Sequence, residues 1–523
     1  MFHVLVADSI SSVGLAPILE SEDITVVQKK VDEVEDLTVF DAILVRSATK
    51  VTEDLIKQMP NLKIIGRAGV GVDNIDVEAA TRHGVVVINA PNGNTVSTAE
   101  HTFAMMMALL RHIPQANASV KSGEWKRSQY LGTELYNKQL GIIGLGRIGS
   151  EIAKRAKAFG MNVLVFDPFL TKERAKKIGV NSCTLDELLQ EADIITVHTP
   201  LTKETKGLLG RDNLAKTKQG VYLLNCARGG IIDEEALVEY LENGHVKGVA
   251  LDVFEVEPPK NNKLLTYDQV IVTPHLGAST KEAQLSVASQ VAEEVLKFLN
   301  GKPVSSSINL PTLTKEVYEK IQPFYKMAKK IGKLASQCMK EPVSDIEIVY
   351  EGSVSELETS FITKSFLSGF LSERIASTVN EVNAGIIAGE RGINYSEKIA
   401  TNRSGYENCI SILVDGESSS FRVKATYIPH YGERIIEING YDIDFYPTGE
   451  LLYIQHIDKP GVIGRVGNKL GEHQINIATM QVGRKEAGGE AIMMLSLDKP
   501  LEQALIDDLL TMDDIVFVRN IHL

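Results

Sequence analysis

Three glycines, Gly144, Gly146 and Gly149, follow the apolar run LGIIG and open a segment in which Ile148, Ile152, Ala156 and Phe159 recur near helical spacing. In a strand–turn–helix setting each glycine has its own task. The first permits the tight turn, the second lets backbone approach a pyrophosphate, and the third lets helix and strand pack closely. The helix start adds free N–H groups and positive dipole, which suit phosphate oxygens. The next apolar run, NVLVFD, ends in Asp167, where a carboxylate meets ribose hydroxyls. An acid there repels a 2′-phosphate and no arginine follows at once, so the expected cofactor is NAD rather than NADP. The alternative is a glycine-rich turn without a ligand, against which strand, helix and acid stand together.

A second group shares that half of the chain. Arg228 lies in NCARGG, Glu257 in FEVEPP and His275 in TPHLGAST, each just beyond an apolar run that reads as a strand. Ligands of open α/β sheets bind at such strand ends. Each residue also has an ordinary reading, as helix-capping arginine, solvated loop acid or satisfied strand-end histidine. Further toward the N-terminus, Arg46 in LVRSATKV and Arg67 in IGRAGVGVDNID flank the expected cleft, with surface arginine as the alternative. Gly69, Val70 and Gly71 form a turn able to offer backbone N–H groups to a substrate. Lys126 and Arg127, beside the single Trp125, are candidates for positive charge across a dimer interface.

The elements that must carry these residues follow a rhythm. VLVAD, AILVR, KIIGRAG and VVVIN read as strands between helical segments, ending near the turn Pro91-Asn92-Gly93. That alternation predicts a parallel α/β sheet. A helix over about 97–111 looks apolar nearly all round, hence buried. A second run reads LGIIG, NVLVFD, DIITVHTP, YLLNCA, KGVALDV and VIVTPH, the order of a doubly wound dinucleotide domain. An amphipathic helix over 283–299 leads back to the first unit, and GKPVSSSINLP reads as a linker. Beyond it, helices over 317–340, 361–371 and 375–388 mix with the strands SDIEIVYEG, ENCISILVDG and FRVKATYI. The basic residues Lys364, Arg391, Lys398 and Arg403 there read as a solvated face before an anion site. The last segment alternates β-α-β-β-α-β, a ferredoxin-like fold. The expected division is a discontinuous α/β domain over 1–96 and 283–307, a Rossmann-like domain over 97–282, an α+β domain over 308–448 and a small ferredoxin-like domain over 449–523.

The chain has 523 residues with 44% hydrophobic and 24% charged side chains, enough for several cores. A net charge of −13 argues against nucleic-acid binding and requires local basic residues for any anionic substrate. Cys183, Cys226, Cys338 and Cys409 are widely spaced, so neither a metal site nor a disulfide framework is expected. MFHVLVADSI lacks signal-peptide features, and the apolar stretch TFAMMMALL is too short to span a bilayer. A cytoplasmic protein with no membrane association is expected.

Taken in order, GLGRIG, HTPLT, NCARGG, LDVFEVEP and PHLGAST resemble the D-2-hydroxyacid dehydrogenase family, from the N-terminus to about residue 307. The resemblance implies a Rossmann-like NAD-binding domain beside a flavodoxin-like substrate-binding domain, with Arg228, Glu257 and His275 catalytic. The chemistry suits them. Imidazole can take a hydroxyl proton as C2 loses hydride, a carboxylate steadies imidazolium, and guanidinium forks onto a substrate carboxylate. It also implies cofactor contacts at Arg147, Ile148, Thr199, Cys226, Asp252, His275 and Gly277, and no metal. Cys226 has the plainer reading of a small residue packed under the cofactor. The motifs around Arg46, Ser47 and Arg67 resemble those of members whose arginines hold phosphate, which implies 3-phospho-D-glycerate as substrate and a place at the entry to L-serine synthesis. A glycerate or hydroxypyruvate reductase and a non-enzymatic NAD-sensing interaction protein are the competing readings.

The tail supports the phosphorylated substrate. Its strand–turn–helix YIQHIDKPGVIGRVGNKL resembles the ACT domain, an amino-acid sensor. The resemblance implies L-serine as an effector contacting His456, Asp458 and Asn476, and assembly as a homodimer or homotetramer.

Overall fold

The structure, a computed structural model, describes every residue except 377 and 402–404. Arg403 therefore lies outside the described residues. Four sheets account for the chain. The first is wholly parallel, in the order Ile24–Gln28, Phe2–Val6, Ala42–Val45, Ile64–Arg67, Val86–Asn89, the flavodoxin-like order. Ala42–Val45 and Val86–Asn89 are buried at every position, as strands covered on both faces must be. The strand Ile24–Gln28 escapes the sequence reading because it is a half-exposed edge without a turn signal. Helix Lys281–Leu299 covers this sheet, its Val287, Val291, Val295 and Leu299 packing with Val4, Leu44 and Ile64.

The second sheet has seven parallel strands in the order Val270–Val272, Val246–Leu251, Val221–Asn225, Ile194–Val197, Gln139–Ile143, Asn162–Phe166, Asn181–Ser182. Its strand order reverses between Gln139–Ile143 and Ile194–Val197, so their carboxyl ends open a crevice. Helix Thr95–Leu110 lies against it through Ala99, Phe103, Met106 and Leu110. That helix is buried on one side only: Val96, Glu100 and Ala104 are exposed.

The third sheet runs Asn394–Ala400, Val343–Gly352, Asn408–Gly416, Ser420–Ile428, Gly432–Ile438, Tyr441–Phe445. Three of these strands, at 394–400, 432–438 and 441–445, are absent from the sequence reading. Charged and polar residues interrupt their alternation. Helices Lys315–Cys338 and Thr359–Ser372 pack closely because a Cβ on Gly332 would stand 2.2 Å from the Phe366 carbonyl oxygen, and one on Gly369 2.0 Å from that of Lys329. The helix expected over 375–388 is confined to Ala384–Glu390. Residues 380–383 dock instead on the first unit: Asn380 Nδ2 donates to the Gly84 carbonyl at 2.7 Å, and Val382 joins the core beneath the first sheet.

The fourth sheet is antiparallel, in the order Ile477–Arg484, Glu490–Leu497, Glu450–Ile457, Ile515–His522, with helices Val462–Glu472 and Gln503–Leu510. This is the ferredoxin-like arrangement. Its Leu451, Tyr453, Ile492, Met494 and Ile521 share one core with Ile331, Tyr350 and Phe366 of the preceding unit. No helix among the described residues is long and apolar enough to cross a membrane.

Candidate active site

The crevice at the switch point is a cleft of about 450 Å³. On one side its walls come from Gly146, Arg147, Ile148, Thr199, Cys226, Asp252, His275 and Gly277, on the other from Val70, Gly71 and Asp73, with Arg228 between. Parts of both parallel units thus face one another across it.

The glycine turn divides its labour as the chemistry requires. Gly144 has φ 94°, and a Cβ there would meet the His198 carbonyl oxygen at 2.7 Å. A Cβ on Gly149 would meet the Gly144 carbonyl oxygen at 2.2 Å. On Gly146 it would meet nothing within 4 Å. The first and third glycines are therefore demanded by the chain itself, the second by space kept in front of the helix Arg147–Ala158. Asp167 accepts from the Leu145 N–H at 2.7 Å and the Phe169 N–H at 2.8 Å, which ties the end of its strand to the glycine turn and leaves lone pairs for ribose hydroxyls.

Two polar atoms in the HTP turn support a cofactor here. Thr199 Oγ1 and His198 Nδ1 are buried without a protein partner, and both residues line the cleft. Buried polar atoms ordinarily find partners. Burial pushes the His198 imidazole down to about 3, so a neutral ring faces that space. Cys226 is almost wholly buried, and burial raises its thiol to about 12, which suits a packed wall residue and not a nucleophile. No cluster of histidine, cysteine and acidic side chains among the described residues could hold a metal ion.

His275 lines the cleft, and its ring is bonded to Glu257. His275 Nδ1 lies 2.8 Å from Glu257 Oε2, while Glu257 Oε1 accepts the Phe254 N–H at 3.1 Å. A carboxylate can only accept, so Nδ1 carries the proton and the Nε2 lone pair remains for a substrate hydroxyl. Arg228 donates through Nε to Asp73 at 3.0 Å and through Nη1 to the Ala227 carbonyl at 2.7 Å. These two bonds fix the plane of its guanidinium.

Beside Arg228 stand the other arginines. Arg67 is held down to about 10, first by burial and then by the like charge of Arg228, with Arg46 adding to it and Asp73 and Asp8 opposing. It remains a cation at neutral pH. Three guanidiniums within electrostatic reach of one another, in a chain of net charge −13, form a local trap for an anion. Asp8 accepts from the Arg46 and Thr49 amides at 2.6 and 3.2 Å, and Asn74 donates to the Arg46 and Thr49 carbonyls at 2.7 and 2.6 Å, which sets the loop carrying Arg46 and exposed Ser47.

At Gly69 the Gly69–Gly71 turn departs from the sequence expectation of free N–H groups. The Gly69 N–H is already bonded to the Arg67 carbonyl at 2.8 Å. A Cβ on Gly69 would stand 1.6 Å from Arg67 Nη1, and one on Gly71 1.8 Å from Arg228 Nη2. The glycines make room for the arginines. Sequence reasoning also passed over His198, Asp73 and Asn74, although HTP and VDNID were both in view. In each case the neighbouring residue drew the attention.

In the last unit His456 is buried, with Nδ1 3.0 Å from the Ile457 carbonyl and Nε2 lacking a partner. Asp458 is bound by Arg484 at 2.9 Å, and that bond holds its carboxyl below the usual carboxylate range. Asn476 is exposed.

Comparison with known proteins agrees with this arrangement. Residues 103–277 match the D-isomer specific 2-hydroxyacid dehydrogenase NAD binding domain, residues 320–439 the D-3-phosphoglycerate dehydrogenase intervening domain, and residues 451–511 the ACT domain. The chain is 68% identical to D-3-phosphoglycerate dehydrogenase of Bacillus subtilis and 44% to that of Methanocaldococcus jannaschii, each over 100% of both chains. Among solved structures, D-lactate dehydrogenase from Aquifex aeolicus complexed with NAD and lactic acid is 32% identical, with a TM-score of 0.54, over 59% of this chain and 99% of that one. The chain belongs to the D-3-phosphoglycerate dehydrogenase family, a branch of the D-2-hydroxyacid dehydrogenases.

Proposed function

We propose that this protein oxidises 3-phospho-D-glycerate to 3-phosphohydroxypyruvate with NAD, the first step of L-serine synthesis. The observation that carries this reading is the set of three guanidiniums, Arg46, Arg67 and Arg228, beside a cleft lined by His275, whose ring Glu257 bonds. Arg228 forks onto the substrate carboxylate, and Arg46 and Arg67 hold the phosphate at the other end. His275 Nε2 takes the C2 hydroxyl proton, and Glu257 stabilises the imidazolium that results. NAD, held at the Gly144–Gly149 turn and by Asp167, would supply the hydride acceptor for C2. In the reverse direction His275 returns the proton to the carbonyl oxygen.

The test offers 3-phosphoglycerate and glycerate side by side with NAD and with NADP, at alkaline pH and with the ketone trapped. Turnover of phosphoglycerate with NAD alone is expected, and replacing Arg46 or Arg67 with glutamine is expected to cost far more with the phosphorylated substrate. Preference for glycerate would discard both arginines as phosphate ligands.

The ACT unit, in this reading, receives L-serine near His456, Asp458 and Asn476. The unpartnered His456 Nε2 and the exposed Asn476 support that placement. Serine at millimolar concentration leaving the rate unchanged would count against it. The protein works in the cytoplasm as a homodimer or homotetramer, with exposed Trp125, Leu131 and Tyr136 in the segment after the long helix as interface candidates.

A further inference from the structure

The loop that carries His275 is gripped from behind by one buried carboxylate. Asp252, wholly buried after the strand Val246–Leu251, accepts the Thr273 hydroxyl at 2.6 Å and the Leu276 N–H at 2.7 Å on Oδ1, and the Gly277 N–H at 2.9 Å on Oδ2. Its backbone carbonyl takes the His275 N–H at 2.9 Å. These bonds bracket His275 on both sides. They matter because His275 sits at φ 54°, in the left-handed region that an L side chain holds only when its surroundings impose it.

A residue outside the cleft completes the grip. His101, on the helix Thr95–Leu110, places Nε2 3.2 Å from Asp252 Oδ1 and 3.1 Å from Thr273 Oγ1. One turn earlier on the same helix, Thr98 donates to the Gly277 carbonyl at 3.2 Å. Asp252, His275 and Gly277 line the cleft, whereas His101 is not among its walls. A buried carboxylate is tolerable only when its oxygens are fully supplied with donors. Here burial pushes the Asp252 carboxyl upward, and the bonds from His101, Thr273 and Leu276 outweigh it, leaving the group below the usual carboxylate range. Since Asp252 only accepts, the Thr273 hydroxyl gives its hydrogen to Asp252, and Thr273 Oγ1 in turn accepts from His101 Nε2.

We propose that His101 is a positioning residue for the reaction: through Asp252 and Thr273 it fixes the left-handed backbone at His275 and so the aim of the His275 ring. The inference rests on the acid–base role given to His275 above. His101 is not among the residues that line the cleft, so it acts through Asp252 and Thr273. Without its donor, Asp252 reorients toward other partners, the bonds to Leu276 and Gly277 lengthen, and His275 relaxes. Misplacement of a reacting group by about 1 Å costs roughly 100-fold in rate.

The experiment compares His101→Leu and His101→Gln in the full-length enzyme, measuring kcat and KM for 3-phosphoglycerate, the kcat isotope effect with substrate deuterated at C2, and binding of ADP-ribose. The leucine fills the volume but cannot donate; the glutamine amide can. His101→Leu is expected to lower kcat about 10- to 100-fold with KM changed less than about threefold, to raise the isotope effect, and to bind ADP-ribose as the parent does. His101→Gln is expected to recover most of the rate. Parental kcat in His101→Leu overturns the proposal. So does glutamine behaving like leucine with ADP-ribose binding lost in both, which would make His101 a packing residue. If the unmodified protein turns over no phosphoglycerate, the functional reading itself has failed, an outcome distinct from either.

Discussion

Two glycine turns face the same cleft, and they are glycine-rich for opposite reasons. The turn at Gly144–Gly149 keeps one position, Gly146, clear of every protein atom within 4 Å. The turn at Gly69–Gly71 is filled by the protein itself, with Arg67 and Arg228 lying where two Cβ atoms would be. One glycine is retained for a group the chain does not contain, two for groups it does. A glycine at a ligand site is thus of two kinds, and substitution by alanine separates them.

Gly71→Ala should have the largest effect. The new Cβ would fall 1.8 Å from Arg228 Nη2 and 2.7 Å from Asp73 Oδ2. Arg228 cannot simply swing aside, because Asp73 and the Ala227 carbonyl hold it. The substrate carboxylate then loses a charge-assisted bond of about 1.5–3 kcal/mol, or roughly 10- to 100-fold in kcat/KM. Steady-state kinetics at saturating NAD measure this, with little change in NAD affinity expected. An unchanged kcat/KM would mean that Arg228 does not bind the carboxylate.

Gly146→Ala and Gly149→Ala sharpen the contrast within the dinucleotide turn. Gly149→Ala drives a methyl into the Gly144 carbonyl at 2.2 Å, a backbone clash that should lower stability by about 1–3 kcal/mol. Gly146→Ala meets no protein atom, so its denaturation midpoint should match the parent while NAD affinity falls about tenfold, the loss of one close backbone–phosphate contact of about 1.4 kcal/mol. Calorimetry with NAD and urea unfolding on both variants read the two effects separately. Equal loss of stability in both would abolish the distinction.

The sequence made these two turns legible to different degrees. Around Gly144 local pattern suffices, because strand, turn, helix and Asp167 lie within one βαβ unit and each glycine answers to its neighbours. Around Gly71 the occupant of the space, Arg228, comes from a distant strand end, and only the fold brings it near. The same limit explains other misses. His101 reads as one more residue of a Met-rich helix until Asp252 is placed behind it. The strands at 432–438 and 441–445 carry charged residues whose partners, Lys330 for Glu433 and Asp444 for Arg434, are invisible without tertiary structure. The turn at Gly449 reads as a boundary, yet one core runs across it, so the last two units are coupled by packing where the chain suggests a division.

Gly69→Ala should give the smallest change, and its size tests whether the arginine cluster is graded as proposed. The clash is with Nη1 of Arg67, 1.6 Å from the added Cβ, at the far end of a flexible side chain. Arg67 Nε has no partner, so the guanidinium is free to shift where that of Arg228 is not. Shifting costs alignment with the phosphate but leaves the charge in place, and at about 10 the group stays protonated. KM for 3-phosphoglycerate should therefore rise by a few fold, about 0.5–1 kcal/mol, with kcat nearly unchanged, since phosphate binding is shared by ground and transition states. Raised salt should weaken substrate binding in parent and variant alike, because it screens charge and not geometry. A fall in kcat as large as that of Gly71→Ala would show that Arg67 acts on the reacting end of the substrate, and the division of labour between the arginines would have to be redrawn.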